Sequence, residues 1–436
     1  YFSNYAKSAA VLVGDKFLRA LDILFYQKKT DELTRAGIIE IYERINSESA
    51  INLILNKLNF SNRQIIIQSV ESLLRLNVDV KRYNNQIKDI LDNFMEDIIW
   101  SISMLNDLPE EESFKLLRNS LEEDKKINTD AVFSILKLLY NPVVIRNIAD
   151  HVESNSLDRV MKGIGLIDVY IEQNSKIKLL PLFSRIPDSA KIRKLAQQFP
   201  DENLLREDKA IKKLLEEIIN RDYNRLGKWT KVCAIQLYAK QPEAEVNNEL
   251  VSELYNPHYL FLETAAQAIH HIDKDYFQLY LRRLDDDRQV LLRNAFDPEK
   301  LYLKKFDKIN FLKSLPILKE VFYEELLQLE PFFELRQYQE DDIVFNLEGY
   351  VDHFLIIYSG SVNILEENSL LNNYTTGDFI NLNNLNIHTK NVYLKFTEQT
   401  ILFKVFGDLL EDILYKSRFN NVPGRVENVH QKFLVS

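Results

Sequence analysis

A single cysteine, Cys233, is all the thiol this chain has, so it can close no internal disulfide and offers no cysteine-based metal site. The reading is a reducing, cytosolic setting, with Cys233 as a buried apolar residue. Glycine is scarce too, 10 in 436 residues, and none of GxGxxG, GxxxxGK[ST] or GxSxG occurs. Loops that cradle phosphates, and the tight turn that presents a catalytic serine, are therefore not expected. Long apolar runs are lacking: AAVLVG (9–14) and LDILFY (21–26) are broken off by Asp15, Lys16 and Arg19, well short of the roughly 18–20 residues of a membrane helix. There is no long basic block, and the formal net charge of −10 is spread along the chain. The electrostatic footprint of a nucleic-acid binder is missing.

What is present is ordinary globular material, 46% hydrophobic and 28% charged over a length that suits two or three domains. The chain opens on Tyr1-Phe2-Ser3 without methionine, which reads as processing or excision from something longer. Between residues 31 and 320 apolar residues recur with helical period. In SNRQIIIQSVESLLRLN the set Ile66, Val70, Leu73 and Leu74 falls on one face, with Ser61 or Asn62 as the N-cap. In NNQIKDILDNFMEDIIWSISML the set Ile87, Ile90, Leu91, Phe94, Ile98, Ile102 and Leu105 does the same. Met95, Trp100 and Met104 lie on or near that face and read as core.

The helices come in pairs joined by short polar turns. AINLILNKLNFSNRQIIIQSVESLL (50–74), NIADHVESNSLDRVMKGIGLIDVYI (147–171) and EVNNELVSELYNPHYLFLETAAQAIHHI (245–272) each read as helix, turn, helix. This pattern resembles the HEAT-type repeat, whose early second-helix arginine is matched only by Arg63 and Arg159. Such pairs stack because neither buries its apolar face alone, which implies a curved α-solenoid with a concave surface for protein partners. An irregular helical bundle is the alternative.

Beyond Pro331 the period changes. FELRQY, DIVFN, HFLIIYS, VNILEE, NVYLKFT and TILFKVF are short β-favouring runs. Turn residues separate them at Glu348-Gly349, Ser359-Gly360 and Thr376-Gly377-Asp378. GDLLEDILYKSRF (407–419) then returns to helical period. Short strands with glycine turns and flanking helices point to a jelly-roll-like barrel.

The order of residues here is similar to the cyclic-nucleotide-binding domain family: the helical phrase Phe311 to Leu318, Asp342-Ile343-Val344, Gly349, Asp352, Ser359-Gly360, and Gly377-Asp378-Phe379 opening the phosphate cassette. The resemblance covers about residues 308–417. It implies a cyclic phosphate held by backbone N–H groups and one arginine, with a glutamate on the ribose hydroxyl. This chain departs from that pattern. By the family's spacing the glutamate position falls on Leu382 and the arginine position on or near Lys390. Lysine supplies charge without the planar two-donor fork. Losing two charge-assisted contacts of about 1.5–3 kcal/mol each weakens binding by roughly two to four orders of magnitude. A barrel that keeps the fold without the ligand is favoured.

The two parts together resemble the soluble C-terminal portion of bacterial transporters related to ATP/ADP carriers of the major-facilitator type, with VFSILKLLYNPVVI (132–145) and LIDVYIEQNSKIKLLPLF (166–183) as their middle repeats. That resemblance implies an upstream transmembrane carrier and a location at the cytoplasmic face of the inner membrane. Other chemistry is thin. The seven histidines show no HExxH spacing, and adjacent His270 and His271 point to opposite sides of a helix. Asp285-Asp286-Asp287 lacks the glycine and distant glutamate of a calcium loop and reads as a helix cap.

The sequence thus gives an α+β multidomain protein: HEAT-like helical repeats over residues 1–307, then a cyclic-nucleotide-binding-like β jelly roll with flanking helices over 308–436. Its expected role is non-catalytic regulation or scaffolding through protein partners, with no cofactor, metal or nucleic acid and with a cyclic nucleotide disfavoured. The degenerate cassette positions are Gly377, Asp378, Phe379, Leu382 and Lys390. The alternative from another class is a working cyclic-nucleotide or small-anion sensor using Lys390, with the helix around Leu409 to Leu414 moving on binding. An enzyme would need catalytic groups that motif reading does not find.

Overall fold

The computed structural model describes residues 4–297, 299–345, 347, 352–381, 392–407 and 410. Contacts divide the chain into two compact units, Tyr1–Glu249 and Leu250–Ser436.

The first unit is helical: α1 (Asn4–Val13), α2 (Asp15–Phe25), α3 (Glu32–Ile45), α4 (Glu48–Lys57), α5 (Arg63–Arg75), α6 (Asn84–Asp107), α7 (Lys115–Leu139), α8 (Pro142–Val152), α9 (Leu157–Tyr170), α10 (Gln173–Phe183), α11 (Asp188–Leu195), α12 (Ile211–Asn220) and α13 (Lys228–Ala239). Their starts follow from capping. Asp31, Ser47, Asn62 and Asn141 each accept a hydrogen bond from a backbone N–H of the first turn, and Pro142 occupies the first helical position of α8. Asn62, not Ser61, is the cap of α5.

The seven-residue apolar set read along α6 is buried throughout. Met95, Ile99, Trp100 and Met104 are buried as well, so this helix is apolar on most sides, as a central helix must be. In α5 the buried face is turned by a residue from the expected one: Ile65, Ser69, Val70, Ser72 and Leu73 are buried, while Ile66 and Leu74 are only half-buried. Small hydroxyls are tolerated there because Ser69 donates to Ile65 O (2.8 Å) and Ser72 to Glu43 (2.7 Å).

α6 and α7 lie along one another; α5, α8 and α13 pack on α7, and α10 and α11 return to α6. The stretches 50–74 and 147–171 form the contacting pairs α4–α5 and α8–α9. Because α11 and α13 reach helices far back in sequence, contacts in this unit are not confined to the next pair along the chain.

α14 (Asn248–Glu253) runs across the boundary, and the second unit continues with α15 (Tyr259–Ile272), α16 (Lys274–Leu281), α17 (Asp286–Phe296), α18 (Lys305–Ser314) and α19 (Tyr323–Leu329). Eight strands follow: β1 (Glu334–Tyr338), β2 (Ile343–Val344), β3 (His353–Ser359), β4 (Ser361–Glu366), β5 (Ser369–Thr375), β6 (Phe379–Asn381), β7 (Val392–Phe396) and β8 (Thr400–Phe406). They form two antiparallel four-stranded sheets, ordered β1-β8-β3-β6 and β2-β7-β4-β5. β7 shows the alternation of a strand with one face inward: Val392, Leu394 and Phe396 are buried, Tyr393 and Lys395 half-buried. β3 is buried on both sides because its second face is also covered, Phe311 of α18 meeting the Tyr358 ring edge-on at 4.8 Å.

Two strands, β5 and β6, go beyond the β runs read from the sequence. The β4–β5 hairpin turns through Glu367 (φ 48°) and Asn368 (φ 72°), both left-handed as a two-residue type I′ turn requires. Gly360, between β3 and β4, has φ +91°, and a Cβ there would lie 2.5 Å from Thr400 Oγ1 and 2.6 Å from Gln399 O. Gly360→Ala is therefore expected to cost about 2–3 kcal/mol. Urea unfolding followed by far-UV circular dichroism measures it, and an unchanged midpoint would contradict this account of the turn.

Candidate functional site

The cassette positions are built from the turn that leaves β5. Asp378 N–H donates to Thr375 O (3.0 Å), closing a four-residue turn with Gly377 at φ +92° in its third place. That is the left-handed position which a type II turn reserves for glycine. Gly377 N–H donates to Ile357 O (2.9 Å), and Asp378 O accepts from Ile357 N–H (3.1 Å). These bonds tie the turn to β3. The Asp378 carboxylate is occupied locally, Oδ2 accepting from Thr375 N–H (2.7 Å) and Thr375 Oγ1 (3.3 Å). It holds the turn's shape. Phe379 pairs with Ile356 across β6 and β3 and is half-buried, while the next residue, Ile380, is fully buried in the interior. Period-two geometry therefore sends Phe379 to the face opposite Ile380. Leu382 and Lys390 lie outside the described residues, as do Gly349 and most of the helix read at 407–419.

Between the sheets, Leu347, Leu355, Ile357, Val362, Ile364, Ile380, Val392, Leu394, Phe396 and Leu402 form one buried cluster, with Tyr338, Val344 and Tyr374 against it. The Tyr338 and Phe396 rings stack at 4.1 Å and 4°. The side chains of this cluster are apolar.

α18, which carries the family-like phrase, is fixed by charges that periodicity does not reveal. Lys308 Nζ donates to Glu330 Oε1, Glu330 O and Phe333 O, each at 2.8 Å. Lys305 reaches Glu330 Oε2 at 2.5 Å, and its own N–H donates to Glu263 of α15 (2.9 Å). Burial pulls the Lys308 ammonium below its ordinary range, against Glu330. Against burial, Lys308 and Lys305 hold the Glu330 carboxyl below its own. With donors and acceptors matched, this group is a clamp on the entry to β1, not a ligand site.

The first unit holds a larger buried ionic set. Asp97 Oδ1 accepts from Arg221 (2.8 Å) and Arg225 (2.9 Å), and both arginines also reach Glu202. The Arg221 guanidinium lies over Trp100 at 3.9 Å, and Trp100 Nε1 donates to Glu217 (2.8 Å), which pairs with Arg206. Burial lifts the Asp97 carboxyl, against the pull of Arg225 and Arg221. Nearby, Arg63 pairs with Asp124 (2.7 Å), which also accepts from Thr230 Oγ1 (2.6 Å). Arg159 instead reaches the Asp150 carbonyl of α8 at 3.2 Å. The partners of Asp97 and Asp124 are joined from α5, α6, α7 and the segments after α11, so no local motif announces them.

The remaining candidates resolve structurally. Cys233 is buried and burial raises its thiol well above the ordinary value. His270 packs between Phe277 and Phe296 with its pKa lowered by burial and by Lys274, while His271 is exposed. Asp285 caps α17 through Arg288 N–H (2.9 Å). Among the described residues no group of three or more His, Cys, Asp or Glu is placed to hold a metal ion, and no helix is long and apolar enough to cross a membrane.

No protein-family model matches this chain, and no curated protein matches it. Solved structures do. It is similar to the structure titled cAMP-bound PfPKA-R, with 16% identity, 32% of this chain and 46% of that one covered, and a TM-score of 0.23. It is similar to the regulatory subunit of a cAMP-independent protein kinase A from Trypanosoma brucei, with 21% identity, 29% and 48% covered, and a TM-score of 0.22. The C-linker/CNBHD of zELK channels, crystallised in the presence of cAMP, is similar at 18% identity, 37% and 88% covered, and a TM-score of 0.19. The first two likenesses span about half of those chains. Identities and TM-scores this low assign no activity to this chain.

Proposed function

We propose that this chain is a non-catalytic regulatory or docking module whose second unit carries a cyclic-nucleotide-binding-like jelly roll without its ligand. The strand orders β1-β8-β3-β6 and β2-β7-β4-β5 support the jelly roll, since they are those of an eight-stranded roll folded from two Greek keys. The observation that carries the loss of ligand is the apolar cluster between the sheets, with Leu355, Ile357, Ile364 and Leu394 among its most buried members. A nucleotide would have to displace that packing and leave its own polar groups unpaired. Leu382 and Lys390 at the two key cassette positions agree with it.

The proposed division keeps 308–436 as the binding-like domain and 1–307 as helical, with α4–α5 and α8–α9 as HEAT-like pairs beside the α6–α7 hairpin and protein partners on the helical surface. The tie to a membrane carrier rests on the phrases at 132–145 and 166–183 alone.

Calorimetric titration of the whole chain with cyclic AMP, cyclic GMP and a cyclic dinucleotide is expected to give no heat up to millimolar ligand. Saturable micromolar binding that Lys390→Ala abolishes would replace this reading with the sensor.

A further inference from the structure

α2 has two faces of different character. Leu18, Leu21 and Phe25 are buried, three and four residues apart, and the helix packs on α3 and α4. Lys16, Arg19, Ala20 and Ile23 recur at the same steps on the opposite side, and all four are exposed, Ile23 by 58%. Just before the helix, ahead of the Gly14 turn, Leu12 and Val13 are 88% and 52% exposed. Just beyond its end Lys28 and Lys29 are exposed as well. The charge of this end is the reverse of the whole. From residue 1 to 29, Lys7, Lys16, Arg19, Lys28 and Lys29 stand against Asp15 and Asp22, in a chain whose formal net charge is −10. Lys7 is held by Glu40, and Asp22 by Lys57, each at 2.5 Å. Among the described residues Lys16, Arg19, Lys28 and Lys29 form no ion pair.

We infer that this face docks on an anionic lipid bilayer, with α2 lying along the bilayer surface. Exposed aliphatic side chains and unpaired cations have to be satisfied there together. A nucleic acid offers phosphates but no apolar layer, and an uncharged apolar surface offers nothing to the cations. The boundary of an anionic bilayer offers both within about 10 Å of depth. Lys16 and Arg19 share the open face with Ile23, so their aliphatic stems lie beside apolar surface while their charged ends reach lipid phosphates. The negative charge carried by the rest of the chain turns this end toward such a surface. With few apolar side chains and few cations to engage, the attachment is reversible and sensitive to salt.

Co-sedimentation of the whole chain with lipid vesicles tests this, with circular dichroism confirming that each variant is folded. Binding is expected to vesicles of phosphatidylcholine with about 30 mol% phosphatidylglycerol, to fall at about 0.5 M salt, and to be absent on phosphatidylcholine alone. Lys16→Glu together with Arg19→Glu should weaken it by about tenfold or more. Ile23→Asn, which leaves the charge unchanged, should weaken it by about tenfold. Lys194→Glu together with Lys240→Glu changes the net charge equally at two other exposed lysines of the first unit, and should leave binding as it is. As a second readout, a polarity-sensitive dye on Ala20→Cys, with Cys233 buried, should shift its emission to the blue on the anionic vesicles. No binding to those vesicles, equal binding to phosphatidylcholine alone, a control pair as damaging as the α2 pair, an Ile23→Asn variant that binds like the wild type, or dye emission that stays put would each overturn the proposal. None of these outcomes depends on nucleotide binding, so the reading of the β unit stands or falls separately.

Discussion

Replacing Asp97 with alanine is expected to lower the unfolding free energy of the first unit by about 3–5 kcal/mol. The carboxylate is the common acceptor of Arg221 and Arg225, and Arg221 is nearly buried over the Trp100 ring. Removing it leaves two guanidiniums close together in a poorly solvated place, and their repulsion is added to the lost hydrogen bonds. Glu202 and Glu96 still hold part of each arginine, which keeps the loss within that range. Both tryptophans of the chain, Trp100 and Trp229, belong to this unit. Urea unfolding followed by tryptophan fluorescence therefore reads the effect directly. An exposed pair such as Lys115 with Glu112 is the control: Lys115→Ala should move the midpoint by no more than a few tenths of a kcal/mol. If the two variants lose the same small amount, the ionic set is ornamental and the packing of α6 alone holds the unit.

The second large effect is expected at Phe396. Its ring is fully buried between the sheets and stacks on Tyr338 at 4.1 Å. Phe396→Ala removes most of that side chain from a cluster with no polar member ready to move in, and should cost about 3–5 kcal/mol. The loss falls on the second unit. Hydrogen exchange of the β3, β7 and β8 amides should quicken while tryptophan fluorescence unfolding stays put. A fluorescence midpoint that falls with it would show that the two units do not unfold independently.

How much of this was readable from residues differs between elements for definite reasons. α6 was legible because seven apolar residues from Ile87 to Leu105 repeat at helical spacing and all are buried. α5 was read with its face turned, because Ser69 and Ser72 look like surface residues until their hydroxyls are seen bonded to Ile65 O and Glu43. β3 and β8 announce themselves by dense β-branched and aromatic residues. β5, SLLNNYT, does not: it is an edge strand that is exposed along nearly its whole length, and its asparagines are poor strand formers. β6 is three residues long and hides behind the Gly377 turn.

At the candidate site the turn at Thr376-Gly377-Asp378 was legible, since glycine suits φ +92° at position 377. The direction of Phe379 was not legible there, because it depends on a register that pairs it with Ile356. The clamp of Lys308 on Glu330 and Phe333 and the set around Asp97 were not legible at all. Their partners lie 22 to 25 and 124 to 128 residues apart, and single charged residues carry no period that would link them.

The most direct test of the central claim is a methyl NMR titration of the whole chain, labelled at isoleucine, leucine and valine, with cyclic AMP and cyclic GMP. The methyls of Ile357, Ile364, Ile380 and Leu394 line the space between the sheets. They should keep their shifts up to millimolar nucleotide; saturable shifts concentrated on those methyls would mean that the interior opens to a ligand, and the account of a roll without one would be wrong.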